Sequence, residues 1–194
     1  PAVIDVSFNI SKGESIGLLG PNGAGKSTTM KVMTGYTPPT SGNVNIGGYD
    51  IIKNSIDARK LIGYLPESVP LYTDMTVKEY LSYMGSLRGM GKNILNRVDE
   101  VIDLTSLNQY KNVLISKLSK GYRQRTGIAQ AILHKPKILI LDEPTIGIDP
   151  VQVVETRKLI QNLGEEHTLI LSSHILPEVT SLCLLYLVFA QNSS

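Results

Sequence analysis

The stretch Gly20, Pro21, Asn22, Gly23, Ala24, Gly25, Lys26, Ser27, Thr28 follows the apolar run Ser15-Ile-Gly-Leu-Leu19 and precedes a segment of helical pattern. A glycine-rich loop between a buried strand and a helix restricts the fold sharply, because it gathers backbone amides at a helix N-terminus, where they form a nest for an anion. The spacing is G-x-x-x-x-G-K-[ST], which gives each position a task. Gly20, Gly23 and Gly25 allow the tight turn, Lys26 offers a point charge to outer phosphates, and the Ser27 hydroxyl suits Mg²⁺. Thr28 and Thr29 add donors in the first helical turn. The residues therefore predict a nucleoside triphosphate site. A glycine turn that merely caps a helix would not require these four fixed positions in strand, loop and helix order.

With 194 residues, 42% of them apolar, the chain can bury a real core, which excludes a disordered or fibrous protein. Lysine and arginine outnumber aspartate and glutamate by 19 to 17, so no broad basic face is expected and no nucleic-acid partner. Cys183 is the only cysteine; no intrachain disulfide can form, and a reducing compartment fits. The chain opens without a basic region leading an apolar one, so no signal peptide is expected. Its longest apolar run, from Leu182 to Ala190, is less than half of the roughly 20 residues a spanning helix needs. Any membrane role would use a partner.

Alternation predicts strands at Ala2–Ile10, Glu14–Leu19 and Asn43–Ile46, the last ended by Gly47-Gly48, with a further strand at Leu61–Leu65 stopped by Pro66. The helix after the loop should run from Lys26 to Gly35. Beyond Glu67 the pattern turns helical. Thr76-Val-Lys-Glu79 is a capping box opening a helix to about Arg88, Asn93–Leu104 is amphipathic, and Ser119 caps a helix running to about His134. Strand Lys137–Leu141, helix Val151–Leu163, strand Thr168–Leu171 and a short helix from Leu176 follow, and Leu184–Ala190 could add one buried strand. Strands alternating with helices predict an α/β fold with a mostly parallel, helix-covered sheet. An N-terminal antiparallel β part precedes it, and an α-helical subdomain at about 67–134 is inserted between core segments 1–66 and 135–194.

The strand Ile138-Leu-Ile-Leu-Asp142 runs directly into Glu143. A carboxylate at the end of a buried strand beside a phosphate loop suits Mg²⁺, which assigns Asp142 to the metal. Glu143, one residue on, faces elsewhere and suits a general base that orients and deprotonates water. An acidic pair alone usually just starts a solvated loop; the apolar strand before it and the phosphate loop upstream argue otherwise. His174 follows Ser172-Ser173 at the carboxyl edge of the next strand, where ligand sites gather, although a lone histidine is more often structural. His134 and His167 read as structural.

With Leu118-Ser-Lys-Gly-Tyr-Arg-Gln-Arg125 between the two phosphate elements, nearly the whole chain resembles the ATP-binding cassette (ABC) family, whose core is a P-loop NTPase (RecA-like) fold. Six elements fall in order: Walker A at Gly20–Thr28, a Q-loop region at Tyr64–Glu67, a signature at Leu118–Tyr122, Walker B at Ile138–Glu143, a D-loop at Gly147–Pro150 and a switch histidine at His174. The resemblance implies ATP and Mg²⁺ as ligands, with Ser27, Asp142 and Glu67 toward the metal and Glu143, Glu67 and His174 in catalysis. It also implies that Ser119 and Gly121 contact the γ-phosphate held by a second copy, in a head-to-tail homodimer around two ATP. The wording of the signature, of Thr76–Met90 and of Asp149-Pro-Val-Gln152 looks most like ATPase subunits of bacterial type-2 exporters related to gliding motility and multidrug export. Such subunits sit on the cytoplasmic face of the membrane and drive a separate transmembrane permease, received in a groove near 67–88.

The sequence departs from the pattern in places. Glu67 stands where the Q-loop usually has glutamine, which puts a sensing role in doubt. Lys120 replaces the signature's first glycine, as in this exporter group. No adenine-stacking aromatic precedes the first strand, which predicts weaker ATP binding and poor base selectivity. The apolar end suggests a fragment or altered terminus that would be sticky if exposed. Two other readings remain open: a soluble ABC ATPase acting on ribosomes or DNA, and a fragment that binds ATP without turnover.

Overall fold

The computed structural model describes residues 3–190. Strands β1 (Ser15–Leu19), β4 (Ile62–Leu65), β5 (Ile138–Asp142), β6 (Thr168–Ser173) and β7 (Leu185–Val188) form one sheet in the order β4-β5-β6-β1-β7. Every neighbouring pair is parallel. Register sets the functional edge: Leu19 is level with Ser173, and Asp142 with Ser172. The loops leaving β1, β5 and β6 therefore start side by side, at the carboxyl edge where parallel sheets bind ligands.

Side chains alternate across this sheet, as the pleat requires. Ile16, Leu18, Ile62, Ile140 and Ile170 pack toward helices α1 (Lys26–Met33) and α2 (Ser55–Lys60), joined by Ile46 and Ile51. Leu65, Leu139, Leu141, Leu169 and Leu171 face the other way, into one apolar cluster with α3 (Val77–Leu87), α4 (Ile94–Leu104), α5 (Lys120–Ile132), α6 (Pro150–Glu166) and α7 (Leu176–Leu182). The helices inserted between β4 and β5 thus share a core with the sheet. Close contact needs glycine at two points. A Cβ on Gly63 would stand 2.3 Å from the Ala131 carbonyl oxygen of α5, and one on Gly17 2.1 Å from Val179 Cγ1 of α7.

Two helix starts, at Thr76 and Ser119, are capped as the sequence predicts, and a third cap, Asp149, appears in the structure. Thr76 accepts from the Glu79 amide at 3.3 Å while the Thr76 amide donates to Glu79 Oε2 at 2.8 Å. Ser119 accepts from the Tyr122 amide at 3.4 Å, and Asp149, with Pro150 behind it, from the Gln152 amide at 3.0 Å. Helix α1 ends at Met33, two residues before Gly35, which turns away at φ 69°.

Other expectations need correction. Residues 3–10 form no strand, and Ala2 lies outside the described residues. The alternation there is real, since Phe8 and Ile10 are half-buried against the Ile16 side of the core, but no strand lies alongside to make a ladder. The antiparallel part is instead a hairpin of β2 (Asn45–Ile46) and β3 (Tyr49–Asp50), turned by Gly47 and Gly48 at φ 58° and 91°. Helix α2 lies between the strands expected at Asn43–Ile46 and Leu61–Leu65, where the sequence pattern predicts no element. Strand β7 exists but is an edge, pairing only with β1, and Leu184 and Val188 are 96% and 68% exposed. It is therefore not the buried strand its composition suggests. No helix among the described residues is long and apolar enough to cross a membrane.

Candidate active site

The loop leaving β1 owes its shape to three different demands. Gly23 and Gly25 sit at φ 82° and 100°, where a side chain would be strained. Gly20 needs room: a Cβ there would meet the Phe189 carbonyl oxygen at 2.4 Å. Gly25 is the N-cap of α1 and no side chain caps that helix, in contrast to α3, α5 and α6. The first-turn amides of α1, with no acidic residue in that turn, suit an anion. Pro21, Asn22 and Thr28 are exposed, whereas Ala24 and Lys26 are buried.

Lys26 Nζ donates to the Gly20 and Pro21 carbonyls at 2.6 and 3.2 Å and lies 3.4 Å from Glu143 Oε1. Ser27 Oγ donates to Asp142 Oδ1 at 3.2 Å, so the hydroxyl and carboxylate assigned to Mg²⁺ do meet. Ser172 Oγ donates to the same Asp142 oxygen at 2.5 Å and accepts from the Glu143 amide at 2.9 Å. The Ser172 hydroxyl, fully buried, holds the two acidic residues in different directions. Nothing local in the sequence marks it, since its partners lie 29 and 30 positions away.

Glu143 occupies a left-handed conformation at φ 47°, a strained choice for a non-glycine that marks functional turns. His174 Nδ1 donates to Glu143 Oε2 at 2.9 Å. The other oxygen, Oε1, is buried and accepts no hydrogen bond. One oxygen is pinned by His174, and the other faces the Lys26 ammonium at 3.4 Å without a hydrogen bond. A buried Tyr64 hydroxyl also lacks a hydrogen-bond partner, and burial together with the Asp142 charge pushes its pKa upward.

The phosphate loop, Asp142, Glu143 and His174 are thus brought together. Glu67 is not tied to them: it is exposed just past β4, and its charge bears on Tyr64. Ser119 and Gly121 are also elsewhere, at the start of α5, where Ser119 Oγ and Gln152 exchange contacts of 3.3 and 3.5 Å. A Cβ on Gly121 would stand 1.7 Å from Gln152 Oε1. Lys120 reaches the D-loop, its Nζ 2.3 Å from where a Cβ on Gly147 would lie. The other two histidines are structural, His134 Nε2 meeting the Ile62 carbonyl at 3.0 Å and His167 Nδ1 the Pro136 carbonyl at 2.9 Å.

Among the described residues no group of three or more His, Cys, Asp or Glu side chains could hold a metal ion. One carboxylate and one hydroxyl in contact, beside a phosphate nest, still fit Mg²⁺, which keeps several waters and shares its shell with substrate phosphates.

The family described as ABC transporter matches residues 3–146. The linearmycin resistance ATP-binding protein LnrL of Bacillus subtilis (strain 168) is 41% identical over 182 residues, covering 92% of this chain and 58% of that protein. The bacitracin transport ATP-binding protein BcrA of Bacillus licheniformis is 40% identical over 183 residues, covering 93% and 59%. This chain therefore spans under two thirds of the length of either relative. Among solved structures, a dimeric post-hydrolysis state of the ATP-binding cassette MJ0796 bound to ADP and Pi superposes with a TM-score of 0.85 at 25% identity, covering 96% of this chain and 86% of that one.

Proposed function

The chain belongs to the ABC transporter family, and from that premise we propose that it is the ATP-hydrolysing subunit of an exporter, working as a head-to-tail dimer on a separate membrane permease. The observation that carries this reading is the division of the site. Gly20–Thr28, Asp142, Glu143 and His174 share one edge of the sheet, while Ser119 and Gly121 stand at the start of α5 against Gln152. An anion held between the uncapped start of α1 in one copy and the start of α5 in another is favoured by both helix dipoles. That arrangement explains physically how ATP would close a dimer and how its hydrolysis would open it.

Within each site the amides of Gly20–Thr28 and the Lys26 ammonium bind and orient the phosphates. Ser27 and Asp142 would hold Mg²⁺, which when bound supplies a Lewis acid to phosphate oxygens. Glu143 acts as the general base: Oε1, which carries no hydrogen bond and has the Lys26 ammonium as counter-charge, accepts a proton from the attacking water, while His174 fixes Oε2 and so aims the carboxylate. Glu67, just past β4, would add a carboxylate toward the same metal. The permease would dock near 67–88, and the protein would lie peripherally on the cytoplasmic face of the membrane. Export of a drug-like compound is the reading favoured by LnrL and BcrA, whose names tie them to linearmycin resistance and bacitracin transport.

Steady-state ATP hydrolysis by the wild-type chain and by Ser119→Arg tests the shared site. Activity is expected in the first and loss of it in the second, although Ser119 caps α5 and hydrogen-bonds Gln152. Equal activity in both would contradict a site completed by a second copy.

A further inference from the structure

Glu178 is fully buried in α7, four residues after His174, and no step above uses it. Its carboxylate is surrounded by donors from three other places in the fold. Thr145 Oγ1, two residues past Glu143, donates to Oε1. Ser173 Oγ, beside His174, donates to Oε2 at 2.6 Å, and Arg157 Nε of α6 lies 3.5 Å from Oε1. Ser173 Oγ in turn accepts from the Ile175 amide at 3.1 Å. A fully buried carboxylate is costly unless it is paired and hydrogen-bonded in this way. The expense is concentrated where two short turns, one carrying Glu143 and one carrying His174, must be held against each other.

Those turns need holding. Glu143 sits in a strained backbone conformation, closed on one side by the Ile146 amide donating to its carbonyl at 3.1 Å. The strain persists only if the surroundings overdetermine it. Ser172 secures the Glu143 amide from β6, but nothing in that contact fixes the far side of the turn. The Thr145 to Glu178 bond does, and the Ser173 to Glu178 bond ties the same carboxylate to the residue preceding His174.

Resting on the ATPase reading, we propose that Glu178 is a positioning residue, which clamps the Glu143 turn to the His174 turn and so sets the 2.9 Å contact between those side chains. Its carboxylate is fully buried, and its partners are Thr145, Ser173 and Arg157. Arg157 makes the clamp continuous with α6, whose N-terminus follows the D-loop.

The test compares Glu178→Gln, His174→Ala and the double variant by steady-state ATP hydrolysis, with thermal unfolding as a check on folding. Glu178→Gln is expected to lower kcat about ten- to a hundredfold, as small misplacements near a reacting group do, with KM for ATP changed less than about twofold. In the His174→Ala background the same substitution should have little further effect. An undiminished loss in that background, or a rise in KM with kcat intact, would overturn the proposal. Should Glu178→Gln fold poorly, Thr145→Val should reproduce the fall in kcat and Thr145→Ser should not; equal losses would overturn it. Amide hydrogen exchange separates this claim from the ATPase reading, since it needs no turnover. Residues 143–146 and 174–176 should exchange faster in Glu178→Gln while 20–30 stay as in wild type, and unchanged exchange at both turns would refute the clamp.

Discussion

Lys26 Nζ and Glu143 Oε1 stand 3.4 Å apart, each side chain only 5% exposed. The residue proposed to bind phosphate and the one proposed to activate water are thus each other's counter-charge. Removing one member of a buried ion pair strands the other, at a cost of about 3 kcal/mol. Lys26→Met should therefore lower unfolding stability by about that much, and adding Glu143→Gln to it should restore at least about 1 kcal/mol, because neighbours in one pair are not additive. Denaturant unfolding of the two single variants and the double variant measures the coupling; strict additivity would mean the pair is not formed in solution.

Ser172→Ala should loosen both acidic residues at once. The substitution leaves the Asp142 carboxylate and the Glu143 amide each short of a buried partner, which costs about 1–3 kcal/mol. Because Asp142 then loses its fixed direction, the Mg²⁺ concentration giving half-maximal ATPase activity should rise several-fold, roughly the scale seen when outer partners of metal ligands are removed. A magnesium titration of the variant checks this. Unchanged magnesium dependence would show that Ser172 is only a core residue.

Gly63→Ala tests how tightly the inserted helices are bound to the sheet. Its new methyl would meet the Ala131 carbonyl at 2.3 Å, an atom that cannot rotate aside, so β4 and α5 must separate. Overpacking of this kind costs about 1–3 kcal/mol. A drop in unfolding midpoint is expected, and a variant as stable as wild type would mean that the two elements are not in close contact.

Burial, with help from the Arg88 charge, pushes the pKa of His134 down to about 4 from 6.5. The unfolded chain then binds more protons than the folded one between those two values, so stability falls as pH drops from 6.5 toward 4 and is fully present above 6.5. His134→Gln, which keeps a donor for the Ile62 carbonyl but does not titrate, should flatten that part of the profile. Unfolding midpoints measured across pH 4 to 7 decide it, and an identical slope in the variant would remove His134 from the account.

The phosphate loop, the acidic strand end and the helix caps at Thr76 and Ser119 were legible in the sequence because each is local: residue types a few positions apart fix the geometry. Leu184–Val188 misled because composition reports apolarity and says nothing about which edge of a sheet a strand takes; an apolar strand with a single partner reads the same as a buried one. Residues 3–10 misled for a related reason, since alternation predicts a face to bury and a ladder needs a neighbour. Ser172, Thr145, Glu178 and Gln152 were invisible as site residues because their importance lies in contacts some 30 positions away or across a turn, which spacing along one chain does not encode. Glu67, by contrast, was assigned through resemblance alone; its carboxylate is exposed and shares with Asp142 only an electrostatic influence on Tyr64.

The central claim, that one chain holds only half of each nucleotide site, is tested most directly by the oligomeric state of Glu143→Gln with ATP and Mg²⁺. The substitution keeps the shape of the side chain and removes its ability to take a proton, so bound ATP should persist between the Gly20–Thr28 loop of one copy and Ser119 and Gly121 of the other. Light scattering after gel filtration should give a dimer with ATP and a monomer with ADP, and combining Ser119→Arg with Glu143→Gln should abolish the dimer. A chain that stays monomeric at saturating ATP, or dimerises equally well with Ser119→Arg present, would contradict the account.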